Sequence, residues 1–159
     1  MRINIIINGR ETALDVDPLK RLVDILREDL GLVAAKIGCG EGECGSCNVW
    51  LDGKVVSACL VPAIQADGRQ VTTLEGLFES PDPRLLALRD AFLKHDVSQC
   101  GACIPGIVMT CFGLSESASD RPAGAEDVRR SLAGNLCRCT GYASLIDALE
   151  EWMAKAGKA

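Results

Sequence analysis

Aromatic side chains are scarce in this 159-residue chain: three Phe, two Trp and one Tyr, 4% of the total. Any core must therefore lean on Leu, Ile, Val and Ala. Histidine occurs once, at His95, so a histidine-based metal site lacks partners and no nucleophile–base set is evident. Basic runs are missing too. The only positive cluster is Arg129-Arg130 and the net charge is −5, which argues against a nucleic-acid surface. No run approaches eighteen apolar residues, so no membrane insertion is expected. The opening run of "MRINIIINGRETALDVD" is broken by Asn4 and ends at Asn8-Gly9. It has neither the longer apolar region nor the small-residue cleavage site of a secretory signal, and the expected location is the cytoplasm. A glycine-rich dinucleotide fingerprint is also absent, so NAD and FAD must bind elsewhere if they bind at all.

Cysteine and glycine are abundant instead, with nine and sixteen residues. Many cysteines in a chain that is 48% apolar and is expected to carry no leader point to metal or redox chemistry rather than a disulfide scaffold.

The pattern divides in two. Ile3 to Ile7 and Thr12 to Val16 flank Asn8-Gly9 and read as a β-hairpin. Pro18 is expected to open a helix with Leu22, Val23, Leu26 and Leu30 on one face, ended by Gly31. "NVWL" and "KVVSACLV" form a second hairpin around Asp52-Gly53, and "QVTT" is a last short strand. "TLEGLFESPDPRL" reads as a connector closed by Ser80, Pro81, Asp82 and Pro83. Beyond it four helices are expected: Arg84 to Lys94, Pro105 to Ser117, Ala125 to Ala133, and Ser144 to Lys155. Asp82 is positioned to cap the first, and Gly124 to begin the third. The expected fold class is α+β, with an N-terminal mixed-sheet domain over residues 1–76 and an all-helical domain over 77–159.

Cys39-x4-Cys44-x2-Cys47-x11-Cys59 matches the spacing of plant-type [2Fe–2S] ferredoxins. Three thiolates from one tight loop and a fourth from a neighbouring segment can wrap a flat cluster, each iron taking tetrahedral sulfur. Zinc with four cysteines usually uses two short knuckles, which this spacing does not offer. Glu41 and Glu43 read as solvated loop charges. The second set, Cys100-x2-Cys103 and Cys137-x-Cys139, falls at helix starts or turns, where free N–H groups favour thiolates. By spacing alone this set admits zinc as well as a second iron–sulfur cluster. Cys111, in "IVMTCFGL", reads as a buried thiol, and Trp50 and Trp152 as packing or interface residues. His95 is expected at a helix end, interacting with helix carbonyls.

Taken together, "GCGEGECGSC" at 38–47, "SAC" at 57–59, "QCGACIPG" at 99–106 and "GNLCRCTGY" at 134–142 resemble the iron–sulfur subunit of the xanthine oxidase family of molybdenum hydroxylases. The resemblance covers nearly the whole chain. It implies a plant-type ferredoxin-like (β-grasp) domain followed by a four-helix bundle domain, each with one [2Fe–2S] cluster. Cys39, Cys44, Cys47 and Cys59 would hold the distal cluster, and Cys100, Cys103, Cys137 and Cys139 the proximal one. Gln99 and Cys139 would face a molybdopterin on a large partner subunit, and a glutamine amide can both donate and accept there. Electrons would pass from molybdenum through the two clusters to FAD on a further subunit, or to another acceptor. The expected assembly is a hetero-oligomer, such as a dimer of heterotrimers. This chain would be its non-catalytic electron-transfer subunit, and the substrate pocket would lie on another chain. Many relatives carry Thr where Asn48 and Ile104 stand here. A freestanding two-cluster ferredoxin is the alternative, and a zinc-binding adaptor a third reading.

Overall fold

The computed structural model describes residues 1–79, 81–117 and 125–156. Strand β1 (Arg2–Ile7) buries Ile3, Ile5 and Ile7 and turns Arg2, Asn4 and Ile6 outward, the period-two pattern of a strand with one covered face. It pairs antiparallel with β2 (Arg10–Asp15). The turn between them places Asn8 at φ 52° and Gly9 at φ 78°, the left-handed pair whose twist suits a two-residue hairpin. The same chemistry, Asp52 at φ 50° and Gly53 at φ 76°, joins β3 (Asn48–Leu51) to β4 (Lys54–Ser57). Strand β5 (Gln70–Thr72) runs parallel to β1 and antiparallel to β3, which gives the order β2-β1-β5-β3-β4. The second hairpin is shorter than its sequence suggests. β4 stops at Ser57, and Cys59 lies in the turn that follows, where Leu60 N–H bonds to the Ser57 carbonyl at 2.9 Å.

The first helix also departs from expectation. α1 spans only Leu22–Asp24 and continues as a π turn over Ile25–Asp29, closed by Leu30 N–H on the Ile25 carbonyl at 3.2 Å. Pro18 does not open it, because the 18–20 segment is held beside α2 (Ala63–Ala66). The Pro18 and Lys20 carbonyls accept from Ile64 and Ala63 N–H at 3.0 and 2.8 Å. Leu22, Val23 and Leu26 are buried as the spacing requires, and Gly31, at φ 69°, follows the last turn. The supposed connector contains a helix, α3 (Leu74–Glu79). Its start is anchored by Asn8, whose Oδ1 accepts from Thr73 N–H at 2.9 Å. Ser80 lies outside the described residues.

The remaining helices are α4 (Pro83–Lys94), α5 (Ile104–Ser117), α6 (Ala125–Ser131) and α7 (Ala143–Ala156), with a 3-10 turn at Leu132–Gly134. Asp82 caps α4 as expected, accepting from Arg84 N–H at 2.7 Å. Gly124 lies outside the described residues. Leu85, Leu88, Phe92, Ile107, Leu149 and Trp152 fill the space among these helices. His95 does end α4, but its ring contacts a carboxylate rather than helix carbonyls. Nε2 lies 2.7 Å from Glu151 Oε2 on α7, a carboxylate that Lys94 and Lys155 also reach.

The sheet packs on α5. Trp50 of β3 donates Nε1–H to the Met109 carbonyl at 2.9 Å and stacks on Phe112, with centroids 5.9 Å apart. Such a ring pair adds about 0.5–1.5 kcal/mol beyond its buried area. Beside it, Asn48 donates to Thr110 Oγ1 at 2.9 Å. The architecture is α+β. Among the described residues no helix is long and apolar enough to cross a membrane.

Candidate metal centres

The first cysteine set is built by the loop before β3 and the turn after β4. Cys39 is exposed, Cys44 half-buried, and Cys47 and Cys59 buried. Hydrogen bonding across the hairpin brings the last two together, with Ala58 N–H on the Cys47 carbonyl at 3.3 Å. Backbone donors point at sulfur. Glu41 and Glu43 N–H each lie 3.3 Å from Cys39 Sγ, and Cys39 N–H lies 3.3 Å from Cys44 Sγ. Glu41 N–H, then those of Cys44 and Glu43, lower the Cys39 thiol to about 7. Burial pushes Cys47 up to about 11. One thiol is ready to ionise and another needs a cation to do so, a set that metal binding would drive to thiolate. Glu41 and Glu43 are exposed, as expected of solvated charges.

The second set comes from the loop before α5 and the turn before α7. Cys103 is buried, Cys137 half-buried, and Cys100 and Cys139 exposed with their sulfurs 3.5 Å apart. Burial raises Cys103 to about 12. At Cys137 burial acts in the same sense, yet the Thr140 hydroxyl and the Thr140 and Cys139 amides together bring the thiol down to about 7. Tyr142, held at φ 67°, fixes the turn: its hydroxyl donates to the Asn135 carbonyl at 2.8 Å and accepts from Cys137 N–H at 2.8 Å. Gln99 is exposed next to Cys100. Cys111 stands apart, buried in α5, and its thiol is raised to about 12 by burial.

Within each set the thiols lie in pairs. Cys39 adjoins Cys44, and Cys47 adjoins Cys59. Cys100 adjoins Cys139, and Cys103 adjoins Cys137. Among the described residues no three His, Cys, Asp or Glu side chains converge on a single-ion position. Two pairs per set suit a binuclear centre whose irons each take two thiolates.

The two sets touch. Leu136 N–H donates to the Cys44 carbonyl at 2.9 Å, so a backbone hydrogen bond joins the first loop to the residue preceding Cys137. Asn135, almost fully buried, donates from Nδ2 to the Gly45 carbonyl at 3.4 Å. Gly106 of α5 lies so close to that carbonyl that a Cβ would collide with it. Asn48, Asn135, Thr140 and Tyr142 escaped the sequence reading as working residues. The last three lie inside the "GNLCRCTGY" motif, and that placement was the available signal. Asn48 stood out only as a position where many relatives carry Thr, and its partner Thr110, sixty-two residues away, could not be read from that.

Two family models match. The 2Fe-2S iron-sulfur cluster binding domain covers residues 5–74, and the [2Fe-2S] binding domain covers 73–150. The chain is 44% identical over 140 residues to the nicotinate dehydrogenase small FeS subunit of Eubacterium barkeri, covering 88% of this chain and 87% of that one. It is 40% identical over 141 residues to the xanthine dehydrogenase iron-sulfur-binding subunit of Escherichia coli O157:H7, covering 89% and 87%. Its structure is similar to that of quinoline 2-oxidoreductase from Pseudomonas putida 86, with a TM-score of 0.87 and 42% identity over 99% of this chain and 96% of that one.

Proposed function

Because this chain belongs to the family of iron–sulfur subunits that serve molybdenum hydroxylases of the xanthine oxidase type, we propose that its eight motif cysteines hold two [2Fe–2S] clusters in two consecutive domains. The chain is a non-catalytic electron-transfer subunit of an oxidoreductase complex. The first domain, residues 1–76, is a β-grasp unit in which Cys39 and Cys44 ligate one iron and Cys47 and Cys59 the other. The second, residues 77–159, is a four-helix arrangement in which Cys100 and Cys139 ligate one iron and Cys103 and Cys137 the other. The pairing of the thiols supports this division. When bound, the clusters supply one-electron carriers.

The observation that carries the reading is the hydrogen bond from Leu136 N–H to the Cys44 carbonyl. Only covalent bonds and this one contact separate the Cys44 and Cys137 sulfurs. The exposed ends of the two sets suit exchange with partners. Cys100, Cys139 and Gln99 are accessible at one set, and Cys39 at the other. Gln99 and Cys139 face the molybdopterin of a large subunit, while the Cys39 end faces an FAD-binding subunit or another acceptor. The complex is a cytoplasmic hetero-oligomer, proposed as a dimer of heterotrimers.

The test is iron and sulfide content with low-temperature EPR of the dithionite-reduced chain. Two irons and two sulfides per cysteine set and two distinct signals are expected, and Cys44→Ser abolishes only one of those signals. Zinc in place of iron, or loss of both signals in Cys44→Ser, overturns the assignment.

A further inference from the structure

Beside the first cysteine loop lies an ion pair that no ligand set uses. Arg21 immediately precedes α1, and its backbone bridges to Pro62. The next two residues bond to the segment that carries Cys59: Leu22 N–H to the Val61 carbonyl at 2.7 Å and Val23 N–H to the Ala58 carbonyl at 3.1 Å. Arg21 is therefore fixed next to the turn that supplies the fourth thiol. Asp24 grips its guanidinium from one edge, accepting from Nε at 2.7 Å and from Nη2 at 3.0 Å. A planar fork held this way has one fixed orientation. The remaining nitrogen, Nη1, lies against the loop, 3.3 Å from where a Cβ on Gly40 would stand. Gly40 follows Cys39, the exposed thiol of the set. Asp24 is 15% exposed and Arg21 41%, so the pair is partly shielded from solvent. The neighbouring cation, Lys20, is engaged by Glu28 and Asp29.

We propose that Arg21, oriented by Asp24, is the cation that raises the reduction potential of the first cluster. The inference rests on reading Cys39, Cys44, Cys47 and Cys59 as ligands. Reduction adds one negative charge to the site, and a cation held at its edge favours the reduced form. Asp24 acts in the opposite sense, since its carboxylate offsets the guanidinium charge. Its second role is positional, because without the fork Nη1 has no fixed aim. The pair thus gives two handles of opposite sign on one equilibrium.

The experiment is an EPR-monitored redox titration of the purified complex with its cofactors, with the second cluster's signal as internal reference. Arg21→Gln is expected to lower the first cluster's one-electron equilibrium constant about threefold, about 28 mV at roughly 59 mV per tenfold. Asp24→Asn, which keeps an acceptor oxygen for the guanidinium but loses the negative charge, is expected to raise it by a similar factor, and Arg21→Lys, which keeps the charge, to stay closer to the unaltered complex. The second signal holds its potential throughout. No movement in Arg21→Gln, movement of both variants in one direction, or equal movement of both signals overturns the proposal. A first signal missing from the unaltered complex overturns the ligand assignment itself, and this inference with it.

Discussion

The surroundings of the nine cysteines sort them into two groups. The eight motif cysteines sit in loops and turns with backbone donors aimed at sulfur or a second thiol alongside. Cys111 has none of this setting. It is buried among apolar side chains in α5, where ionisation is strongly disfavoured. Cys111→Ala is therefore expected to leave both EPR signals intact and to cost roughly 1 kcal/mol of stability through the small cavity it leaves. Loss of either signal in that variant would make Cys111 a ligand. Asparagine also divides by setting. Asn8 serves the hairpin turn and the entry to α3, whereas Asn48 ties β3 to Thr110 on α5. Residue type alone does not separate these uses, because the same amide serves a turn or a long-range bond.

At the scale of elements, the hairpins form where Asn-Gly and Asp-Gly place them, since those pairs accept the left-handed conformations that the turns require. α4 likewise starts where Asp82 and Pro83 signal it. Asp82→Ala removes an acceptor from the first turn and the anchor of Arg84. The expected result is a loss of about 1 kcal/mol, read as a thermal midpoint a few degrees lower. An unchanged midpoint would mean that solvent serves the α4 N-terminus equally well. The helices that the sequence did not reveal are the short ones. α2 and α3, of four and six residues, are stabilised by contacts with distant segments rather than by their own periodicity. The π turn at 25–29 lets the chain bury Leu22, Val23 and Leu26 while leaving early enough for the 32–36 segment to reach the cysteine loop. Arg27 then fastens that segment, donating from Nη1 to the Val33 and Ala35 carbonyls at 3.0 and 2.8 Å.

At the scale of the whole molecule, the sheet and the helices meet where the two cysteine sets meet. The Gly45 carbonyl lies in the crossing, with Gly106 on one side and Asn135 on the other. Gly106→Ala must push α5 away from the first loop. It is expected to cost about 1–3 kcal/mol through overpacking. It should also alter the magnetic interaction between the two clusters in the fully reduced complex, visible as changed EPR splitting. Unchanged splitting at full occupancy of both clusters would show that the contact is not what sets their separation. The Trp50–Phe112 stack and the Trp50 bond to Met109 join the α5-facing side of β3 to the same helix.

The sequence by itself determined the division into a strand-bearing part and a helical part, the hairpin turns, the α4 cap and the membership of the two cysteine sets. Each depends on local spacing or on the conformational limits of one or two residues, and both are visible in a single chain. Tertiary structure decided how the sets face each other: Leu136 on Cys44, Asn135 on Gly45, Gly106 against Gly45, and Arg21 on the loop at Gly40. It also decided where α1 begins and how early β4 ends. These outcomes depend on partners up to about ninety residues apart, brought together by close packing, and no local pattern specifies which two distant surfaces will fit.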